Sequence, residues 1–311
     1  MTDLNTDKTI DFRRISIEDK PLYDSFLEKE GELGCEFSFA NLYLWGRQNF
    51  AELDGHIALF SQFDRKSIYP YPLGEGDKHT VIDAIIADSR ARGIPCRISG
   101  ITEEARRTLE NLYSGMFRYH CDEGSYDYVY SINDLADLSG KKYDGKRNHI
   151  RRFINAYPDW RVETITDSNV AEVLSFVERW YEERLADNPD ADFHMERAAV
   201  RKALRDRAAL ELEGILIRGG SEVLAITLGG RLSRDTFDVN FEKARGDVQG
   251  AYAIINREFA RYIRENHPEI DYIDREEDMG LEGLRRAKKS YHPHHMIRKY
   301  WACLLEDGYD Y

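Results

Sequence analysis

No stretch of this sequence approaches the ~18 consecutive apolar residues that a membrane-spanning helix needs. The first residues, Met1 to Asp7, have neither a basic region nor an apolar core, so no signal peptide is expected. Cysteine is scarce. The four present (Cys35, Cys96, Cys121, Cys303) lie far apart with no C-x-x-C pair, which argues against a thiolate zinc site and fits a reducing cytoplasm. The G-x-S-x-G elbow, the Walker loop and the dinucleotide fingerprint are missing, which disfavours serine hydrolases, P-loop NTPases and dinucleotide enzymes. Positive charge is in deficit: 44 Lys and Arg against 57 Asp and Glu give −13, the wrong sign for coating nucleic acid over the whole surface.

Apolar material is ample: 42% of 311 residues are hydrophobic and 12% aromatic, too many for a disordered chain. At roughly 100–200 residues per domain, two domains are expected, as a soluble, cytoplasmic, bacterial-type protein. The cations are clustered. Residues 141–152 carry six Lys/Arg against Asp144 alone, and residues 285–300 carry six with no acid. Such patches on an acidic body can steer a phosphate-bearing ligand, although solvated helix faces are the plainer reading.

In the second half, periodicity predicts a strand at Trp160–Ile165 and a helix opened by Asn169 with Glu172 as its capping-box partner. A second helix, about His194–Ala208, precedes strands Leu212–Ile217, Val223–Leu228 and Thr236–Phe241, the last with Phe237, Val239 and Phe241 on one face. Then come a helix at Ala251–Glu265, a strand at Asp271–Ile273, a helix at Leu281–Lys289 and an apolar segment near Lys299–Leu305. The first half repeats the order β-α-α-β-β-β-α-β-α-β less clearly, ending in a strand at Tyr126–Tyr130. This order resembles that of the GNAT acyltransferases. It implies an α+β protein of two tandem GNAT-like domains, each a mixed, mainly antiparallel sheet flanked by helices. The division expected is 1–135, non-catalytic, and 136–311, carrying the active site and a basic helix at 144–156.

The junction Phe241 to Tyr252 runs from a strand through a loop holding Gly246 and Gly250 into a helix start at Ala251 and Tyr252. Free N–H groups and the helix dipole favour an anion there, and glycine permits close approach; the same glycines also simply make a turn. The corresponding stretch of the first half, Pro72 to Asp77, has no basic residue. After the short strand, Asp274, Glu276, Glu277, Asp278 and Glu282 crowd into nine residues. A strand C-terminus is where open α/β sheets bind ligands. These carboxylates suit a general base or an ammonium site, or equally partners for the nearby cations. His292, His294 and His295 flank Pro293 without helical spacing, so a shared metal is not expected.

The segments Cys35-Glu36-Phe37-Ser38-Phe39-Ala40-Asn41-Leu42-Tyr43-Leu44-Trp45, Asn240-Phe241-Glu242-Lys243-Ala244, Gly250-Ala251-Tyr252 and Asp274 to Tyr291 resemble a family of uncharacterised bacterial proteins. That family is grouped with the C-terminal catalytic domain of phosphatidylglycerol lysyltransferases. The wider similarity rests on Lys288-x-x-Tyr291-x-Pro293, on Lys299-Tyr300 and on the basic segment at Lys146-Arg147. The resemblance implies aminoacyl transfer from a charged tRNA to an amine or hydroxyl acceptor. Two departures stand out. Those lysyltransferases carry a large membrane domain, of which no stretch is present here, and the pyrophosphate pattern Q/R-x-x-G-x-G/A is not met after Arg245.

Within that reading Glu242 is the expected base, with Glu276 and Asp278 as further catalytic carboxylates and Tyr291 as proton donor. Gly246, Gly250, Ala251 and Tyr252 line the anion seat. Lys288 and Lys299 contact phosphate or a carboxylate, and Lys146, Arg147 and Arg151, at helical spacing, follow a tRNA or cofactor backbone. No metal is expected, and the acceptor is a small or lipid-like molecule. The alternatives are acyl-coenzyme A as donor, or a non-catalytic binding module whose acids and bases merely pair.

Overall fold

The computed structural model describes residues 9–45, 48–63 and 66–305. In chain order it begins with strands β1 (Arg13–Arg14), β2 (Gln48–Leu53), β3 (His56–Phe63), β4 (Lys66–Pro70), β5 (Arg97–Ile101) and β6 (Phe117–Cys121). Among them lie helices α1 (Lys20–Leu27), α2 (Phe39–Trp45), α3 (Lys78–Arg92) and α4 (Glu103–Leu112). The chain continues through β7 (Asp127–Ser131), α5 (Ile132–Asp137), α6 (Asp144–Ala156), β8 (Arg161–Thr164), α7 (Val170–Asp187) and α8 (His194–Asp206). Then follow β9 (Glu213–Gly219), β10 (Glu222–Arg231), β11 (Thr236–Ala244), α9 (Ala251–Asn266), β12 (Tyr272–Asp274), α10 (Glu282–Lys289), β13 (His295–Ile297) and β14 (Tyr300–Leu304).

Two seven-stranded sheets result, in the orders β1-β2-β3-β4-β5-β14-β6 and β13-β7-β12-β11-β10-β9-β8. Each has four antiparallel strands, then a parallel step across a helix: β4 to β5 through α3, and β11 to β12 through α9. Both are GNAT-like. The strand next to each parallel step is antiparallel to it, β14 on β5 and β7 on β12.

Those two strands have changed places. The segment expected to close the first half, Tyr126–Tyr130, pairs as β7 with β12, and the segment expected to close the second, Lys299–Leu305, pairs as β14 with β5 and β6. Compact units follow the exchange: Met1–Asp127, Glu277–Leu281 and Ile297–Tyr311 form one, and Tyr128–Glu276 with Glu282–Met296 the other. A cut at 135/136 therefore does not separate the sheets. Periodicity reports which face of a strand is buried but not its partner, so the exchange leaves no local mark.

In the second unit α9 lays Ile254, Ile255, Phe259 and Ile263 on the sheet, with Phe259 edge-on to Phe237 at 5.8 Å. Each such side chain contributes ~1.5–3 kcal/mol by leaving water. Along β11 the register passes from Gly230↔Asp238 to Leu228↔Phe241, so β11 holds one extra residue, a bulge. Phe237 and Val239 belong to the α9 core before it and Ala244 after it, which corrects the expected Phe237–Val239–Phe241 face. Glu242 shares the side of Ala244. Lys243 turns the other way, onto the rings of Trp180 (4.3 Å) and Tyr181 (5.5 Å). The start of α7 also differs from expectation. Asn169 accepts from the Thr166 N–H and donates to the Thr164 carbonyl, while Glu172 pairs with Arg218 at 2.7 Å, so no capping box forms.

In the first unit Lys299 is buried and donates to Asp127 Oδ1 (2.8 Å), Glu36 Oε2 (3.0 Å) and Glu277 Oε2 (3.3 Å), with Cys35 Sγ at 3.8 Å. Burial pulls its ammonium down, but Cys35, Glu36, Asp127 and Glu277 outweigh it and hold the group well above its ordinary value. Ligand atoms of Cys35, Glu36 and Asp127 lie within 4.8 Å of one another, a spacing that suits a metal ion, yet the positive charge beside them is this ammonium. Replacing it with an apolar group strands the carboxylates. Lys299→Met is expected to lower stability by ~3–5 kcal/mol in urea unfolding. Because the folded value is raised, the ammonium's contribution is full below pH ~10.4 and is lost only as pH climbs through that raised value. A variant as stable as the parent at pH 7 contradicts this.

Candidate active site

β11 and β12 pair at Thr236↔Tyr272, Phe237↔Ile273 and Asp238↔Asp274, where β12 ends while β11 runs on to Ala244. Glu242 stands on the stretch that has left β12, still paired with Thr227 of β10 on its other side. Arg275, the residue after β12, reaches back and donates from Nη2 to Glu242 Oε1 at 2.9 Å, with only 15% and 10% of the two side chains exposed. The other carboxylate oxygen, Oε2, is buried with no hydrogen-bond partner among the described residues. The same holds for Thr227 Oγ1, on the β10 residue opposite Glu242, and for Asn256 Oδ1 on α9. Buried acceptors left open are costly, and they suit a ligand that brings N–H or O–H donors.

Tyr291 closes this corner. Its ring lies under the Arg275 guanidinium (5.1 Å) and under Lys146 Nζ (3.6 Å), and its carbonyl accepts from the Tyr143 hydroxyl at 2.9 Å. Burial pushes its phenol well above the ordinary value, with Arg275 opposing and Glu242 adding, so it stays protonated at neutral pH. Lys146 is half-buried and donates to Ser290 Oγ at 2.6 Å. Burial first, and the Arg275 charge second, pull its ammonium down to about 8 against Glu242.

The remaining expected residues are placed as follows. Lys288 is buried and donates to the carbonyls of Arg275 and of Glu276 (3.1 Å), bracing the turn that carries Arg275. Glu276 sits in that turn at φ +58°, a conformation that non-glycine residues rarely hold, with its N–H on Asp274 Oδ1 at 2.7 Å. Asp278 is buried in the first unit and accepts the Gly280 N–H at 2.8 Å; Lys299 belongs to that unit also. Gly246 is exposed, and its neighbour Arg245 is tied to Asp247 (2.7 Å) and Glu222 (2.7 Å). Gly250 has φ +86°, and a Cβ there would fall 2.3 Å from the His149 carbonyl oxygen, so α6 backs closely onto the start of α9. The Ala251 N–H is taken by the Val248 carbonyl at 3.2 Å, and Tyr252 is 38% exposed.

The three α6 cations expected to follow a backbone diverge. Lys146 turns in to Tyr291, Arg147 is spent on the carbonyls of Leu138 and Gly140 and on Asp144, and Arg151 stays exposed, bonded to Asn148 at 2.9 Å. Sequence reasoning gave no role to Arg275, Thr227 or Asn256. Arg275 had a visible signal, as the one cation inside the acidic run Asp274–Asp278.

The family model described as phosphatidylglycerol lysyltransferase, C-terminal, matches residues 29–303. The crystal structure of a conserved protein of unknown function from Bacteroides thetaiotaomicron is similar at TM-score 0.91 and 35% identity, covering 95% of this chain and all of that one. The structure of L-PGS from Bacillus licheniformis is similar at TM-score 0.68 over 92% of each chain, and its 14% identity speaks for the fold alone. An uncharacterised protein of Mycoplasmoides gallisepticum is 24% identical over 186 residues, 59% of this chain, and the chain spans 58% of that curated relative's length. Among the described residues no helix is long and apolar enough to cross a membrane.

The Glu242–Arg275 pair allows a direct test. Arg275→Met leaves a buried carboxylate uncompensated and is expected to cost ~3–5 kcal/mol in urea unfolding. Adding Glu242→Gln removes the stranded charge, so the double variant should be more stable than Arg275→Met alone. Strictly additive losses would mean that the two side chains do not act as a pair.

Proposed function

This chain belongs to the phosphatidylglycerol lysyltransferase C-terminal family, and from that premise we propose that its second unit is a transferase. It moves an activated aminoacyl group from a tRNA ester to an amine or hydroxyl acceptor. The observation that carries this reading is the half-satisfied Glu242: one oxygen held by Arg275, the other buried and open, where β11 parts from β12. A carboxylate fixed through one oxygen keeps its orientation while the second takes a proton.

In the reaction Glu242 Oε2 accepts the proton of the attacking amine or hydroxyl. The new bond forms at the ester carbonyl carbon, and charge gathers on its oxygen. Donors at the start of α9, the Tyr252 N–H among them, and the fixed Arg275 guanidinium stabilise that charge. The carbon–oxygen bond to the ribose then breaks, and Tyr291, kept protonated by burial, gives the leaving oxygen its proton. Glu242 then gives up its proton to solvent and Tyr291 takes one back, which restores both groups.

An anionic carrier is supported by a meeting of the two basic segments within the second unit. His292 Nε2 contacts the Lys142 carbonyl at 3.2 Å, Lys146 bonds Ser290, and Tyr143 lies edge-on to His292 at 5.5 Å. The exposed cations Arg151, Arg152, Arg286 and Lys289 thus belong to adjoining elements. Phosphate contacts of this kind position a nucleic acid without reading its sequence.

Bulk tRNA charged with labelled amino acids and mixed with a small-molecule and lipid extract should lose label to an extractable product in the presence of this protein. Glu242→Gln, which keeps an oxygen for Arg275 but leaves its charge unanswered, should slow that transfer by about 10²- to 10⁴-fold in the fraction that circular dichroism shows folded. Charge reversal at Arg151, Arg286 and Lys289 should weaken tRNA binding in filter assays and flatten its salt dependence by about one unit of slope for each phosphate no longer neutralised. Thermal stabilisation by acetyl-coenzyme A with none by tRNA would reassign the donor. Full transfer by Glu242→Gln would remove the proposed base.

A further inference from the structure

Three lysines of the second unit have oxygen acceptors that match their charge: Lys142 on Asp134 (2.9 Å), Lys243 on Glu196 (2.5 Å) and Lys288 on two carbonyls. Lys146 is different. Its ammonium has a neutral hydroxyl, Ser290 Oγ, and the face of Tyr291, and a second cation, Arg275, lies over the same ring. Two positive groups against one ring repel each other, and Glu242, the carboxylate that acts on both, gives its hydrogen-bonded oxygen to Arg275. The crowding of two cations and the partial burial of Lys146 favour its neutral amine.

We infer that Lys146 is a nucleophilic lysine, a modification site at which the chain itself accepts an acyl group from an activated ester or thioester. The Nζ lone pair adds to the carbonyl carbon and a carbon–nitrogen bond forms. The bond from that carbon to the ester oxygen or thioester sulfur breaks, and its electron pair leaves with that atom. The surplus proton on nitrogen passes to the leaving group, and the product is an uncharged amide. No oxidant or metal enters the balance. Acylation removes one of the two cations from Tyr291 and adds bulk to a side chain that acts on Glu242. Under the transferase reading, a donor that accumulates without an acceptor would silence its own site.

The charged and titratable groups facing Lys146 are Glu242 on β11, Arg275 after β12 and Tyr291 after α10. Their joint effect with burial brings its ammonium to about 8, so the amine is largely neutral at pH values where exposed lysines, at ~10.4, are still protonated.

Limiting p-nitrophenyl acetate added to the intact protein between pH 6 and pH 10, followed by peptide mapping, tests this without tRNA or acceptor, and its outcome stands apart from the transfer assay. Lys146 should be acetylated on the order of tenfold faster than exposed Lys142 and Lys289 at pH 8. Its rate should be half-maximal near pH 8, and the preference should vanish in urea. Lys146→Arg should lose the fast phase and leave the other lysines unchanged. Labelling of Lys146 no faster than Lys142 and Lys289, a half-maximal rate near pH 10, or a fast phase that persists in Lys146→Arg would each overturn the inference.

Discussion

One positive charge holds the first unit together. The Lys299 ammonium is answered by Asp127, Glu36 and Glu277 and lies 3.8 Å from the Cys35 sulfur. Three of these residues stand at chain crossings. Asp127 is the last residue before the chain leaves this unit, Glu277 is the first when it returns, and Lys299 follows the final return at Ile297. Removing an ammonium from water is costly, and the attraction offsets that cost only where several acceptors are fixed around it. Here the acceptors come from segments far apart in sequence, so the ion cluster can form only when those segments have met. It is an interaction that reports, and enforces, a completed fold.

The candidate active site grows from a different constraint. A sheet that bulges in β11 and stops pairing with β12 after Asp238↔Asp274 leaves a stretch of strand flanked by β10 on one side and no longer by β12 on the other. Glu242 occupies that stretch on the α9 side. The turn after β12, pinned by Lys288 through two carbonyls and strained at Glu276, aims Arg275 back at it. A buried ion pair and an unsatisfied oxygen thus meet where β11 and β12 part, beside a bulge in the β10–β11 ladder. Irregularities of this kind are kept where they re-aim a side chain.

Much of this was legible in the amino-acid order. The stripe Ile254, Ile255, Phe259 and Ile263 announces α9, the alternation around Phe237 and Val239 announces β11, and the family resemblance runs through the segments that build the site. What stayed hidden is non-local. Lys299 and Lys288 read as ligand-facing cations because a sequence shows a charge without its partner, and those partners prove to be carboxylates and carbonyls of the chain itself. Arg147 was hidden in the same way by the carbonyls of Leu138 and Gly140. The bulge in β11 moved Phe241 off the expected face, since one inserted residue reverses every later side chain. The importance of Arg275 depended on Glu242, 33 residues earlier, lying within reach.

The trading of β7 for β14 also dictates an order of events on the ribosome. β5 and β6 are made early, but the strand that lies between them is β14, which includes Tyr300 to Leu304. At ~5–20 residues per second, the nascent chain waits roughly ten to forty seconds after β6 is synthesised before its partner emerges. During that interval the first sheet has two open edges, of the sort that chaperones shield and neighbouring nascent chains invade. In the second sheet the early strand is β7, which waits in turn for β12 and β13, while β12 finds both of its neighbours already made when it appears. The half of the protein encoded first is therefore the half that finishes last.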